Sequence, residues 1–223
     1  MPRWRATILP MRRVPTLLVS LIILLPCVAC AHDSGREFAR YYDEQGLFAL
    51  NLPAANDITV TPPQPTQRGP GFLSGVVSSP PAPSPSPASG AFGGIGVAGQ
   101  GEPDQTVYQA FAVTANGFDD LDQMALKILT GNPIVDVVID DPTRVDGDPA
   151  RLIVADIDQA GEVTSSLAAA MTLGDGATGY LIVAQFPPGG WEEERDDFEL
   201  IVRSFRTDVP PGLETFPVAG QAP

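Results

Sequence analysis

The alternation of hydrophobic and polar residues is clearest near the end of the chain. Tyr180 to Phe186 forms an apolar run rich in β-branched and aromatic residues, and a Pro-Pro-Gly-Gly turn ends it, a pattern that predicts a buried strand. Apolar residues then recur at spacings of three, four and seven: Trp191, Phe198, Ile201, Val202 and Phe205. Acids crowd the first turn of this stretch and arginines the last, as a helix dipole favours. Residues 180–206 therefore predict a strand, a tight turn and a helix that closes the fold.

Shorter apolar runs predict further strands. They lie at 46–53, 57–61, 72–78, 107–113, 134–139, 150–157 and 166–172. We expect the first two to pair across a Pro-Ala-Ala-Asn turn and 107–113 to be half-buried. Asp119 or Asp120 can cap a helix that begins near Leu121 and ends at Gly131-Asn132-Pro133. A sheet of about six to seven of these strands, together with two helices, predicts an α+β fold in which an antiparallel sheet is covered by helices.

The first residues of the chain predict export. Four arginines and no acid accompany an apolar run over 14–31, which is typical of a secretory signal peptide, here assigned to residues 1–29. The small residues before Cys30 resemble a bacterial lipobox, so Cys30 is expected to become the lipid-modified first residue of the mature protein. Cys27 stands where that motif usually has leucine, so retention of the signal as an anchor stays an alternative. Translation from Met1 or from Met11 is likewise left open.

Composition divides the rest into tethers and one domain. Residues 30–45 are short and polar and are expected to be a tether. Residues from about 79 to 106 are mostly Pro, Ser, Ala and Gly, which predicts a disordered insertion between two strands of a domain spanning 46–206. Residues 207–223, with four prolines, are expected to be a disordered tail.

Charge and cysteine content exclude several classes of protein. The 13 basic residues, less the four arginines of the signal, leave nine against 27 acidic residues, a net charge of −18 for the mature chain. Nucleic acid is therefore excluded as a partner. Both cysteines lie in the signal segment, so the mature domain is expected to hold no internal disulfide.

Two acidic stretches invite a metal-binding interpretation. Asp140, Asp141, Asp146 and Asp148 flank one turn, and carboxylate oxygens are what calcium or manganese prefers, so these four are the candidate metal ligands. Turn formation by Asp-Gly and Asp-Pro explains the same residues. Residues 156–161 begin like a calcium loop but lack ligands at its fifth and twelfth positions, so a β-hairpin is expected there. Glycines at 94–99 have dinucleotide-loop spacing without the strand that should precede them, so no cofactor is expected.

Catalytic groups are scarce. The one histidine, His32, lies in the expected tether, which excludes a Ser-His or Cys-His arrangement and a zinc site with His or Cys ligands. The sole lysine, Lys127, is expected on the exposed side of its helix, which argues against a Ser-Lys enzyme. No catalytic residue is predicted, and a pair of carboxylates is the one arrangement left.

Several segments, in this order, resemble the PsbP-like family, which includes the LpqN-type bacterial lipoproteins. They are GLFALNLP at 46–53, DPTRVDGDPARLIV at 141–154, the strand at 180–186 with its helix, and the closing IVRSFR at 201–206. The resemblance covers 46–206 apart from the insertion. It implies an αβα sandwich around an antiparallel sheet, exported or membrane-tethered, with no shared catalytic residues. Plant members assist the oxygen-evolving photosystem and are associated with calcium and manganese retention, but no block here carries those sites over.

These observations together predict a non-enzymatic lipoprotein. We expect it to be secreted across the cytoplasmic membrane, lipid-anchored on the outer side through Cys30, and to act as a binding or assembly accessory factor in the cell envelope. Its expected partners are the membrane and an unknown envelope protein or ligand, and its oligomeric state is left open. The alternatives are an accessory protein that retains calcium or manganese for a membrane complex, and a carboxylate-based hydrolase.

Overall fold

The structure is a computed structural model that describes residues 35–63, 71–81, 105–115, 118–131, 133–159, 162–174 and 177–209. These residues form nine strands and two helices. In chain order they are β1 (Phe38–Tyr42), β2 (Ala49–Pro53), β3 (Asp57–Thr61), β4 (Phe72–Ser79), β5 (Val107–Thr114), α1 (Leu121–Gly131), β6 (Ile134–Val145), β7 (Asp148–Gln159), β8 (Glu162–Leu173), β9 (Thr178–Phe186) and α2 (Trp191–Ser204). Among the described helices, neither is long and apolar enough to cross a membrane.

Seven of these strands form one antiparallel sheet in the order β3-β4-β5-β9-β8-β7-β6. Helix α2 packs on one face and α1 on the other, each over its own apolar cluster. The α+β sandwich predicted from the sequence, with its antiparallel sheet of six or seven strands, is therefore confirmed.

Strand β9 shows how one apolar run serves both faces. Because side chains alternate along a strand, Ile182 and Phe186 belong to the cluster under α2, whereas Leu181 and Val183 belong to the cluster under α1. Strand β5 beside it is also buried on both faces. The prediction that 107–113 is half-buried was wrong, because this strand lies near the middle of the sheet, between β4 and β9.

The N-terminal part of the domain also corrects two predictions. Strand β1 lies within residues 30–45, which were expected to be a tether, and it pairs with β2 in a separate two-stranded sheet. The sequence predicted that β2 pairs with β3, and this was wrong, because β3 pairs with β4 instead. The β1–β2 pair is joined to the end of α2 by a bridge between Ala49 and Arg206, and it adds Tyr41, Phe48 and other residues to the core under α2.

The predicted helix boundaries agree closely with the structure. Asp120 caps α1, since its Oδ1 accepts a hydrogen bond from the backbone N–H of Gln123 at 2.8 Å. The turn before α2 contains Gly189 at φ 73°, a backbone conformation that glycine adopts without strain. Thr207 to Val209, at the start of the predicted tail, is described, and the Thr207 N–H donates to Asp146 Oδ2.

Several predictions concern residues outside the described part of the chain. They are the signal peptide, Cys27 and Cys30, His32, the glycines at 94–99, most of the insertion, and the tail beyond Val209.

Candidate binding pocket

Arg36, two residues before β1, joins the N-terminal segment to helix α2. Its Nη1 donates to Glu194 Oε2 at 2.8 Å and to Asp197 Oδ2 at 2.9 Å, and its Nη2 donates to Glu194 Oε1 at 3.1 Å. Both carboxylate oxygens of Glu194 are thus engaged by one guanidinium, the two-point pairing that fixes the orientation of both groups.

Tyr108 of β5 completes this network. Its hydroxyl donates to Glu194 Oε2 at 2.7 Å and accepts a hydrogen bond from Arg36 Nη1 at 3.0 Å. Tyr108, Glu194 and Asp197 are 1%, 9% and 4% exposed. The two acids are three residues apart in α2 and lie on its buried side, facing the sheet rather than solvent. We call Arg36, Tyr108, Glu194 and Asp197 the Arg36 network.

The network has one defined charge state at neutral pH. Burial, and secondly the hydrogen bond to Glu194, raises the pKa of the Tyr108 hydroxyl, so this group stays neutral. Burial alone would raise the pKa of Glu194, but hydrogen bonds from Arg36 and Tyr108 outweigh it and lower that pKa below its ordinary value. The hydrogen bond to Glu194 raises the pKa of Arg36. Arg36 and Glu194 are therefore both ionised.

A pocket of about 360 Å³ opens beside this network, where β9 ends and α2 begins. Its described lining comes from the sheet ends, the N-terminal segment and the β9–α2 turn: Arg36, Pro80, Gln105, Thr106, residues 187–190, Glu193 and Glu194. Arg36 and Glu194 of the network therefore form one wall of the pocket, and the turn forms another.

The turn wall is held in place by hydrogen bonds to the sheet. The Gly189 N–H donates to Ser166 Oγ at 3.2 Å, and the Ser166 hydroxyl donates to Asp156 Oδ1 at 2.5 Å. The Gly190 N–H donates to the Pro187 carbonyl at 3.0 Å. Asp156, in the stretch for which a β-hairpin was predicted, therefore supports the turn through Ser166.

The chemistry of the described lining suits binding. Thr106 supplies the one hydroxyl of the described lining, and those lining residues include no histidine, cysteine or lysine that could activate it. Glu194 is a poor general acid at neutral pH, because its lowered pKa keeps it ionised. In the described part of the chain, no three His, Cys, Asp or Glu side chains are arranged to hold a metal ion.

The four predicted metal ligands lie elsewhere, along the β6–β7 hairpin. Asp140, in mid-strand, accepts two hydrogen bonds of 2.6 Å from Arg151, and this hydrogen bonding is the largest cause of its lowered pKa. Asp146, at the hairpin turn, accepts from the Thr207 N–H at 2.7 Å. Extended chain rises about 3.3 Å per residue, so roughly 15 to 20 Å separates these two aspartates. Asp141 is exposed on β6, and Asp148 begins β7. Calcium or manganese binding by them stays a prediction.

Sequence reasoning missed the Arg36 network. One signal was present: Glu194 and Asp197 have the spacing of the apolar face that contains Trp191, Phe198 and Ile201, so carboxylates had to lie on a buried stripe. Their partner could not be found in this way, because Arg36 and Glu194 are 158 residues apart in the chain.

Comparisons with known proteins concern the fold. No protein-family model matches the chain, and no curated protein matches it. The chain is similar to the solution structure of cyanobacterial PsbP (CyanoP) from Synechocystis sp. PCC 6803, with 10% identity and a TM-score of 0.49 over 77% of this chain and 93% of that one. It is also similar to the crystal structure of PA94, a protein of unknown function from Pseudomonas aeruginosa, with 11% identity and a TM-score of 0.38 over 73% and 92% of the chains. Neither likeness bears on function.

Proposed function

We propose that this protein is an exported, lipid-anchored and non-enzymatic lipoprotein of the LpqN type that acts as a binding or assembly accessory factor in the cell envelope. In this proposal Cys30 carries the lipid on the outer side of the membrane. The pocket between the Arg36 network and the β9–α2 turn is the place where the domain contacts another envelope component.

The observation that supports a binding role is the Arg36 network beside the pocket. Taking carboxylates out of water costs several kcal/mol unless they are paired, and an apolar stripe on α2 would have packed without that cost. Buried charges with shifted pKa values that line a cleft are a common mark of a functional site. The described lining lacks an activated nucleophile, and the lowered pKa of Glu194 keeps this carboxylate ionised, which supports binding over hydrolysis.

The lipid anchor is tested by metabolic labelling with a palmitate analogue. We expect the wild-type protein and a Cys27→Ala variant to be labelled and found in the membrane fraction, because Cys27 has no acceptor role. The Cys30→Ala variant should lose the label. A Cys30→Ala protein that is still labelled and membrane-bound would contradict the anchor.

The pocket is tested by photo-crosslinking in intact cells. A photoreactive residue replaces Gln105, which lines the pocket, and in a matched protein it replaces Asp141, which is exposed on β6. We expect an adduct of defined mass from position 105 and none of that mass from position 141. The same adduct from both positions, or none from position 105, would remove the pocket from the proposed function.

A further inference from the structure

We propose that the pocket receives a cationic group, a primary ammonium or a guanidinium such as the end of a lysine or arginine side chain. This inference rests on the proposed function, since it names the chemistry of the partner at that same pocket. The charges of the pocket, the lack of available donors on its turn wall and its size all favour such a group.

The charged side chains of the lining favour a cation. One arginine and two glutamates are the charged residues of its described lining, and the carboxylate of Asp197 binds the same arginine. The guanidinium of Arg36 is directed toward Glu194 and Asp197, so its positive charge is largely balanced by carboxylates within about 3 Å. Glu193 is exposed and forms no side-chain hydrogen bond or ion pair with the described part of the chain. Its carboxylate is the group that a bound cation would meet.

The turn wall disfavours an anion, because it offers no available donor. Pro187 and Pro188 have no N–H. The N–H of Gly189 donates to Ser166, and that of Gly190 donates to Pro187. The N–H groups of Glu193 and Glu194, at the start of α2, both donate to the Gly190 carbonyl. Anion sites at helix N-termini depend on N–H groups directed at the ligand, and those of residues 189, 190, 193 and 194 are already bonded.

Size and overall charge fit the same ligand. About 360 Å³ is near the lower end for ligand pockets and suits one long side chain or a small amine. The formal net charge of −14 attracts cations toward the whole surface and speeds their encounter.

The test is a titration of the ¹⁵N-labelled full chain in detergent micelles, followed through the amide signals of Gly189 and Gly190. The probes are N-acetyl-lysine methylamide and N-acetyl-arginine methylamide, with N-acetyl-norleucine methylamide as the uncharged control and acetate as the anion. We expect saturable shifts with the two cationic probes only. Putrescine and a lysine-containing tripeptide then distinguish a free amine from a protein side chain as the source, according to which binds more tightly.

Two variants of the same helix turn make the test specific. Glu192 and Glu193 are both exposed, but only Glu193 lines the pocket. Glu193→Gln should weaken lysine binding about five-fold, as expected for one exposed charge pair, whereas Glu192→Gln should leave it unchanged. Equal effects of the two variants, binding of norleucine as tight as that of lysine, or tighter binding of acetate would overturn the inference.

The result of the cation titration can be distinguished from the result that tests the proposed function. An adduct at position 105 without any lysine or arginine binding would overturn the cationic ligand alone. Absence of both the adduct and cation binding would overturn the pocket's role in the proposed function as well.

Discussion

Two arginines in this protein each bridge two carboxylates, but in different surroundings. Arg36 binds Glu194 and Asp197, whose side chains are 11% and 5% exposed. Arg151 binds Asp122 of α1 and Asp140 of β6, whose side chains are 85% and 39% exposed. The distances are similar, from 2.6 to 2.9 Å. The arginine side chains are 43% and 25% exposed, so the two sites differ mainly in the access of water to the carboxylates.

That difference decides what each bridge can do. Water and salt screen the Arg151 bridge, so it adds little to stability. In the Arg36 network, loss of one member leaves the others charged and poorly solvated, so its members depend on one another. Ionic geometry alone is therefore a poor guide to importance, and burial of the partners separates the pocket wall from an ordinary surface contact.

The largest effect should come from Arg36→Met, which keeps a long side chain and removes the charge. Two carboxylates on the buried side of α2 then lose their counter-ion, and we expect a loss of about 3 kcal/mol in the free energy of unfolding. Urea denaturation measures it, with Arg195→Met as control, because Arg195 pairs with Glu199 on the surface of the same helix. Equal losses in the two variants would erase the contrast between buried and exposed bridges.

Glu194→Gln should cost about 2 kcal/mol at pH 7. The pKa of Glu194 is lowered from an ordinary value of 4.5, so its charge stabilises the fold above about pH 4.5, and this contribution is lost as the pH falls through the folded-state pKa. The stability difference between wild type and variant should therefore shrink on acidification below pH 4.5, as followed by thermal unfolding at several pH values. A difference that widens in acid would contradict the assigned charge state.

Tyr108→Phe should cost about 1 kcal/mol, because the hydroxyl that donates to Glu194 is removed. The matched control is Tyr41→Phe. The Tyr41 hydroxyl is buried and has no hydrogen-bond partner among the described residues, so its removal should be neutral or slightly stabilising in the same denaturation assay. A greater loss at Tyr41 than at Tyr108 would show that burial, rather than the network, sets the effect.

The smallest effect should come from Arg151→Met, at most about 0.5 kcal/mol at low salt. In 1 M sodium chloride, where screening acts over about 3 Å, this difference should vanish while most of the Arg36→Met loss remains. The comparison needs only the two variants, the wild type and denaturation at two salt concentrations. Equal salt sensitivity at both sites would mean that the Arg36 network is as open to solvent as the surface bridge.

Much of the fold was predictable because its signals are local. The run at 180–186, the turn after it and the helical spacing of Trp191, Phe198 and Ile201 predicted β9 and α2 nearly to their observed ends. The cap at Asp120 and the strands at 57–61 and 72–78 were found in the same way. Each such signal depends on residues within one or two turns of helix or one strand.

The pairing of strands was harder to predict from the sequence. Strand β1, with the sequence FARYY, carries an arginine and two tyrosines in a polar stretch and lacks a clear alternation. Its pairing with β2 stabilises it, and this pair joins α2 through Ala49 and Arg206. The pairing of β3 with β4 instead of β2 likewise depends on tertiary packing. The backbone hydrogen-bonding groups of all strands are alike, so the burial of side chains decides which strand becomes the partner.

The candidate pocket shows the same difference between what local sequence patterns predict and what tertiary structure decides. The sequence by itself determined most of the strands, the two helices and the charge, and it predicts a lipid at Cys30, since these follow from composition and short-range patterns. Tertiary structure alone decided that Arg36 meets Glu194, that Tyr108 joins them, and that a pocket opens at the β9–α2 turn. The physical reason is that ion pairing and burial depend on distance in space, which the spacing of residues along the chain does not encode.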